Sequence, residues 1–212
     1  MNISNYTETI RNLKPLSDSK FTYKKDKWLK LNEAYKRFIS DFEEKEISRQ
    51  DIINAYKQFY SGTLGWETAF LLTMVWGFSD TGYGTFRTNN YIGLENREKI
   101  INALNAIETN DLEFAYKSLK SIQGLSISYI SKVLYFATRA CDYKDYALIF
   151  DIRVARSLVK LTSLPEIFEI VEINPSSKFA HYKLYNSMIH NYSQKYNLEP
   201  ESLEMFLFKQ EF

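Results

Sequence analysis

Glycine and proline are scarce in this chain, and their scarcity favours folds built from helices. Only 7 Gly and 4 Pro interrupt the 212 residues, and no stretch sustains the apolar–polar alternation that is typical of half-buried strands. Apolar residues instead recur three and four positions apart, which is the spacing of an amphipathic helix. The sequence therefore predicts an all-α fold, and its 45% of hydrophobic residues is enough for a core.

The helical spacing can be followed along most of the chain. It predicts helices at Trp28–Phe42, Ile52–Phe59, Glu67–Trp76, Ile100–Ile107, Leu112–Leu119, Ile127–Arg139, Ile152–Leu161, Phe179–Tyr196 and Glu201–Phe208. Ser48 is the predicted N-cap of the second helix, with Asp51 three residues further on. The third helix is mostly apolar and is expected to lie buried at the centre. Residues 77–90 are predicted to be the longest irregular segment.

Length, cysteine content and hydropathy limit the class of protein. We expect residues 1–212 to form a single domain of two lobes that share a cleft. One cysteine, Cys141, excludes an intrachain disulfide and a four-thiolate iron–sulfur site. The first 13 residues lack the apolar stretch of a signal peptide, and Ala69–Phe78 is too short to span a membrane. The expected location is therefore the cytoplasm.

Positive charge is unevenly distributed, although the formal net charge is only +1. Residues 1–37 hold nine Lys and Arg against four acids, and residues 117–160 hold eight against three. Two such stretches can form a surface that neutralises phosphates. The alternative is the mixture of charges that any soluble protein carries.

The most informative segment is 119–158, where a short turn joins two predicted helices. The first helix is expected to end near Ser121 and the second to begin near Ser126, with Gly124 in the turn between them. The start of a helix presents unpaired N–H groups and a positive dipole, so it binds anions such as phosphate. The alternative is an ordinary corner in which Gly124 caps the first helix.

The hairpin IQGLSISYISKVLYF, followed by IFDIRVA, resembles the helix-hairpin-helix DNA glycosylase superfamily, in particular its 8-oxoguanine-glycosylase-fold branch. WGFSDTGYGTFRT (Trp76–Thr88) and LEMFLF (Leu203–Phe208) are similar to the same branch, so the resemblance extends from about residue 66 to residue 208. It implies a two-lobed helical enzyme that binds double-stranded DNA as a monomer. Such an enzyme flips a modified base out of the duplex and cleaves its N-glycosidic bond.

The resemblance also implies which residues bind DNA and which aspartate is catalytic. The DNA-binding residues of the hairpin are Gly124, Leu125, Ser126 and Ser128. Asp151 corresponds to the aspartate at the mouth of the base pocket, where a carboxylate stabilises positive charge on the sugar and activates water. The alternative role for Asp151 is the N-cap of the helix that follows it, and the two roles are compatible.

A lysine nucleophile is expected on the second helix in those members of the superfamily that also cut the strand. An alignment anchored on Asp151 assigns this role to Lys132, whereas one anchored on Gly124 assigns the position to Ser128. Lys132 lies one helical turn beyond Ser128, on the same face. The alternative is that Ser128, Lys132, Tyr135 and Arg139 form a polar, solvated stripe.

The aromatic, glycine-containing stretch at residues 76–88 offers candidate substrate-binding residues. These are Trp76, Tyr83, Phe86 and Arg87, which could stack on an extruded base or contact a phosphate. The alternative is a turn capped by Asp80 or Thr81, with Trp76 in the core, and for Trp76 the core is favoured. The glycine spacing matches no dinucleotide or P-loop fingerprint, so no cofactor is implied. His181 and His190 lack partners at metal-ligand spacing, so no metal is expected.

The identity of the base is left open between two substrates. Members of this branch include repair enzymes for oxidised guanine and anti-phage enzymes that remove hypermodified bases such as glucosylated hydroxymethylcytosine. The short chain lacks room for the extra sheet domain of larger repair enzymes, which favours antiviral defence. Two rivals of other classes are a non-catalytic hairpin module that only binds DNA and a helical protein-interaction domain.

Overall fold

The computed structural model describes residues 3–79, 83–162 and 177–210. The helices, in chain order, are α1 (Thr7–Arg11), α2 (Pro15–Asp18), α3 (Glu33–Lys36), α4 (Arg49–Tyr60), α5 (Trp66–Phe78), α6 (Gly84–Tyr91), α7 (Arg97–Glu108), α8 (Leu112–Lys120), α9 (Ile127–Ala140), α10 (Ile152–Thr162), α11 (Phe179–Tyr196) and α12 (Pro200–Lys209). Short 3-10 helices lie at Ser4–Tyr6, Lys25–Trp28, Ser40–Phe42 and Leu94–Asn96. The all-α prediction is confirmed, apart from a small antiparallel sheet of β1 (Lys20–Thr22) and β2 (Glu46–Ser48).

The chain divides into two compact units. Residues 16–147 form one, which we call the central unit, and residues 1–15 with 148–212 form the other, the terminal unit. In the central unit α9 packs against α4, α5, α7 and α8. In the terminal unit α12 packs against α1, α10 and α11. None of the described helices has both the length and the apolar character needed to cross a lipid bilayer.

The start of α4 and the burial of α5 follow the sequence predictions. The Ser48 hydroxyl accepts from the Asp51 N–H at 3.2 Å, and the Asp51 carboxylate accepts from the Ser48 N–H at 2.8 Å, which makes a capping box. Nearly every residue of α5 from Trp66 to Val75 is buried. This helix is accordingly a central element of its unit, as predicted.

The prediction of one helix over Trp28–Phe42 is wrong. The segment is broken into two 3-10 helices and the short α3. Asn32 causes one break, because its side chain accepts from the Ala34 N–H at 3.0 Å and so begins α3. Asn89 stabilises the same break from outside: its amide donates to the Lys30 carbonyl at 2.8 Å and accepts from the Asn32 N–H at 2.9 Å.

The irregular segment predicted over residues 77–90 is largely helical. α5 continues to Phe78 and α6 begins at Gly84; the suggested caps, Asp80 and Thr81, lie outside the described residues. A Cβ on Gly84 would stand 2.9 Å from the Phe78 Cβ and 3.2 Å from the Trp28 ring. The missing side chain therefore lets α6 pack closely on its neighbours, and this packing outweighs the low helix propensity of Gly, Thr and Asn.

Candidate functional site

The turn between α8 and α9 depends on a left-handed glycine. Gly124 has a φ of +79° and is exposed, a conformation that costs other residues about 1–2 kcal/mol. Its carbonyl accepts from the Tyr91 hydroxyl at 2.8 Å, so the end of α6 holds the turn in place. The sequence predicted this turn and its glycine but not the tyrosine that anchors it.

The start of α9 carries no side-chain cap. Ser126 occupies the N-cap position with an extended backbone, but its hydroxyl makes no capping hydrogen bond. The first N–H groups of a helix have no acceptor within the helix itself, and here the exposed Ser126 leaves them without one from its own side chain. Leu125, which was predicted to be a DNA-binding residue, is buried, so its side chain is not available to a ligand at the surface of the turn.

Lys132 is buried, and the alternative of a solvated polar stripe on α9 is therefore wrong. Lys132 is only 6% exposed and Tyr135 is fully buried. The other two members of the stripe, Ser128 and Arg139, are half-buried. The polar stripe is buried because other helices pack against α9 on several sides and cover its polar residues together with its apolar ones.

The Lys132 side chain has a defined position. Its Nζ donates to the Ser128 hydroxyl at 2.7 Å and to the Ser128 carbonyl at 3.2 Å. Nζ also lies 5.0 Å from the centroid of the Tyr129 ring, within the range of a cation–π interaction. The two residues that rival alignments assign to the lysine position, Ser128 and Lys132, are thus in direct contact.

Asp151 lies in the terminal unit, immediately before α10. It is half-buried, and its Oδ1 accepts from the Arg153 N–H at 3.1 Å. This is the geometry of an N-cap, so the capping alternative is confirmed.

Helix α11 fixes the chain that leads into Asp151. The hydroxyls of Tyr182 and Tyr185 donate to the carbonyls of Leu148 and Ile149 at 2.9 and 2.7 Å. The Leu148 N–H donates to the Asn186 side chain at 2.8 Å. These three bonds restrain the backbone at Leu148 and Ile149, three and two residues before Asp151.

The four predicted substrate-binding residues fall into two groups. Trp76 is half-buried, its indole N–H donates to the Ser19 carbonyl at 3.1 Å, and its ring packs edge-on against Phe136. This arrangement agrees with the core alternative. Tyr83 and Phe86, in contrast, are 74% and 67% exposed at the start of α6, and Arg87 beside them is exposed.

Arg87 also acts on the residue that anchors the turn. Burial raises the pKa of the Tyr91 hydroxyl, and the positive charge of Arg87 partly opposes this. Arg87 precedes Tyr91 by one turn of α6, so the two side chains lie on the same face of the helix, and the Tyr91 hydroxyl is the group that holds Gly124. The sequence did not relate Arg87 to the hairpin, because the hydrogen bond between Tyr91 and Gly124, which brings α6 to the hairpin, is visible only in the structure.

A metal centre is not apparent in the part of the chain that the structure describes. No three His, Cys, Asp or Glu side chains there are grouped to hold a metal ion. Cys141 is half-buried, and burial raises the pKa of its thiol, which disfavours the reactive thiolate.

Comparison with known proteins identifies the family. A family model described as "Putative 8-oxoguanine DNA glycosylase OGG-like protein" matches residues 14–208. This is most of the chain, and the protein therefore belongs to that family, whose members are assigned to act on DNA. Searches of curated proteins and of solved structures returned no match.

The capping role of Asp151 can be measured by itself. Asp151→Ala removes the acceptor of the Arg153 N–H and is expected to lower the free energy of unfolding by about 1 kcal/mol. Asp151→Asn keeps an acceptor oxygen and should change it by a few tenths at most. Urea denaturation of both variants checks this. Equal stability of the alanine variant and the parent would show that the cap contributes nothing.

Proposed function

We propose that this protein is a DNA glycosylase that extrudes a modified base from a duplex and cleaves its N-glycosidic bond. The observation that carries the proposal is the exposed Gly124 turn at the uncapped start of α9. A helix start of this kind suits a phosphate group, and the same helix carries a buried lysine, Lys132, about one and a half turns further on. Membership in a glycosylase family supports the same conclusion.

In this proposal the DNA backbone binds at the Gly124 turn. The N–H groups at the start of α9 donate to a phosphate, and the nearby Arg87 adds positive charge. Tyr83 and Phe86, which are largely exposed on α6, offer ring faces to bases of the bound strand. Aromatic rings stack on any base, so this contact gives affinity without sequence preference.

Gly124 and Gly62 provide a matched test of DNA binding. Both have a positive φ, +79° and +74°, and a Cβ would meet nothing closer than 3.7 Å at the first and nothing within 4 Å at the second. Alanine at either position should cost about 1–2 kcal/mol of stability through backbone strain.

Only Gly124→Ala should also weaken DNA binding. Loss of one or two charge-assisted hydrogen bonds corresponds to about tenfold or more in affinity, measured by fluorescence anisotropy with a labelled duplex. Gly62→Ala should bind as the parent does. Equal affinity of both variants would remove the turn from the proposed DNA interface.

Asp151 is proposed as the carboxylate that assists cleavage. As the bond between base and sugar breaks, the base leaves with the bonding electrons and positive charge develops on the sugar. A fixed carboxylate stabilises that charge. Water then forms a bond to C1′ and gives its proton to the same carboxylate. The capping bond to Arg153 leaves this chemistry possible because a carboxylate accepts several hydrogen bonds.

Base excision by Asp151→Asn tests this role directly. The variant should retain its stability and lose excision by at least about a hundredfold, because asparagine keeps the cap but neither carries charge nor takes a proton. The assay incubates duplexes with enzyme and then with alkali, which cuts the strand wherever a base has been removed. Retained excision would exclude Asp151 from the mechanism.

The same assay identifies the base. One duplex carries 8-oxoguanine, the base in the family description. A second carries glucosylated hydroxymethylcytosine, the substrate expected if the protein acts in defence against phage. If only one of the two duplexes is cut, the modified base in that duplex identifies the substrate class. Tight binding of both duplexes without any cut would favour a DNA-binding module that lacks activity.

Lys132 is proposed as an amine nucleophile that adds lyase activity. After the base has been excised, the Lys132 amine adds to the C1′ aldehyde of the abasic sugar, water leaves, and an imine with Nζ is formed. Its burial supports this role, since lysines that act as nucleophiles are commonly desolvated.

Borohydride trapping tests the amine. The reagent reduces the imine to a stable secondary amine and so links enzyme to DNA. The parent protein should give this adduct and Lys132→Ala should not. Lys57→Ala, which removes an exposed lysine of the same unit, should trap as the parent does. An adduct that survives in Lys132→Ala would assign the amine elsewhere.

A further inference from the structure

Gly77 lies where the Lys132 side chain passes α5. A Cβ on Gly77 would stand 3.0 Å from the Lys132 Cδ and 3.1 Å from the Tyr129 Cε1. Contacts this short force a neighbour to move by a few tenths of an ångström. Gly77 is also inside a helix, a position where glycine is less favourable than alanine. The space that it leaves is filled by the stem of the lysine.

Tyr129 forms the other side of this space. Its ring lies 5.0 Å from Lys132 Nζ and is stacked on Phe78, with ring centroids 4.1 Å apart. Phe78 is stacked in turn on Tyr91, at 6.5 Å, and the Tyr91 hydroxyl donates to the Gly124 carbonyl. A continuous aromatic stack therefore joins the ring beside the lysine to the turn at the start of α9.

We propose that Gly77 and Tyr129 are positioning residues for the Lys132 amine. Gly77 leaves room for the lysine stem, Tyr129 holds its Nζ beside Ser128, and the stack keeps that position in register with the Gly124 turn. This inference rests on the proposed role of Lys132 as nucleophile and adds the residues that place it. A displacement of about 1 Å of a reacting group can cost a large part of its rate, so both residues should affect the reaction without touching the DNA.

The test uses the full chain and a duplex with a single abasic site, so the identity of the excised base does not matter. The abasic sugar carries an aldehyde at C1′. Nζ forms a bond to this carbon, water leaves, and borohydride delivers hydride to the resulting imine. The rate of adduct formation at saturating DNA, the affinity for the same duplex and the melting temperature are measured for each variant.

Gly77→Ala and Tyr129→Leu should form the adduct at least about tenfold more slowly than the parent, with unchanged DNA affinity. Tyr129→Phe keeps the ring and should restore the rate to within about twofold. The melting temperature of Gly77→Ala should change little, because the better helix propensity of alanine offsets the cost of displacing a neighbouring side chain, and this separates positioning from a general loss of structure. Tyr192→Leu, which removes a ring stacked on Tyr196 in the terminal unit, is the control and should react normally.

Three results would overturn the inference, and they show whether the positioning role alone fails or the amine role fails with it. If the parent forms the adduct and both Gly77→Ala and Tyr129→Leu match its rate, the positioning role is wrong while the amine role stands. The same conclusion follows if Tyr129→Phe is as slow as Tyr129→Leu, because the ring is then not the relevant group. If the parent forms no adduct, the proposed amine and its positioning residues fail together.

Discussion

The burial of α9 is the constraint on which the central unit depends. Four helices pack against it, and most of its side chains are removed from water. Burial of this apolar area is the main favourable contribution to folding. A lysine in such a helix must bury its stem and find polar partners for its nitrogen. Lys132 does so with Ser128, one turn earlier on the same helix, and with the face of Tyr129.

Two glycines serve this arrangement for different physical reasons. Gly124 is required by backbone conformation, since its φ is +79°. Gly77 lies in a regular helix, and what matters there is the volume that a side chain would occupy. The Tyr91–Phe78–Tyr129 stack lies between the two positions. In the proposed enzyme, the strand-binding turn and the amine are therefore parts of one packed structure.

Sequence periodicity predicted most of the long helices, because apolar residues recur three and four positions apart wherever a helix packs against the core. The Ser48 capping box, the buried α5 and the turn at Gly124 were all recognisable from local patterns. The errors arose where distant residues decide the structure. Asn89, 57 residues further along the chain, stabilises the break in the expected helix at Asn32. The burial of Lys132 could not be predicted, because a polar stripe has the same spacing whether solvent or other helices cover it. For the candidate site, the sequence pattern located Gly124 and Lys132. Only the structure showed that Tyr91 contacts the first and Tyr129 the second.

The most direct measurement is a crystal structure of the protein bound to a duplex that contains a stable abasic-site analogue. We expect a phosphate oxygen within hydrogen-bonding distance of backbone N–H groups between residues 124 and 127, and the C1′ atom of the analogue within roughly 4 Å of Lys132 Nζ. A duplex bound to another face of the central unit, with the Gly124 turn left in solvent, would contradict it.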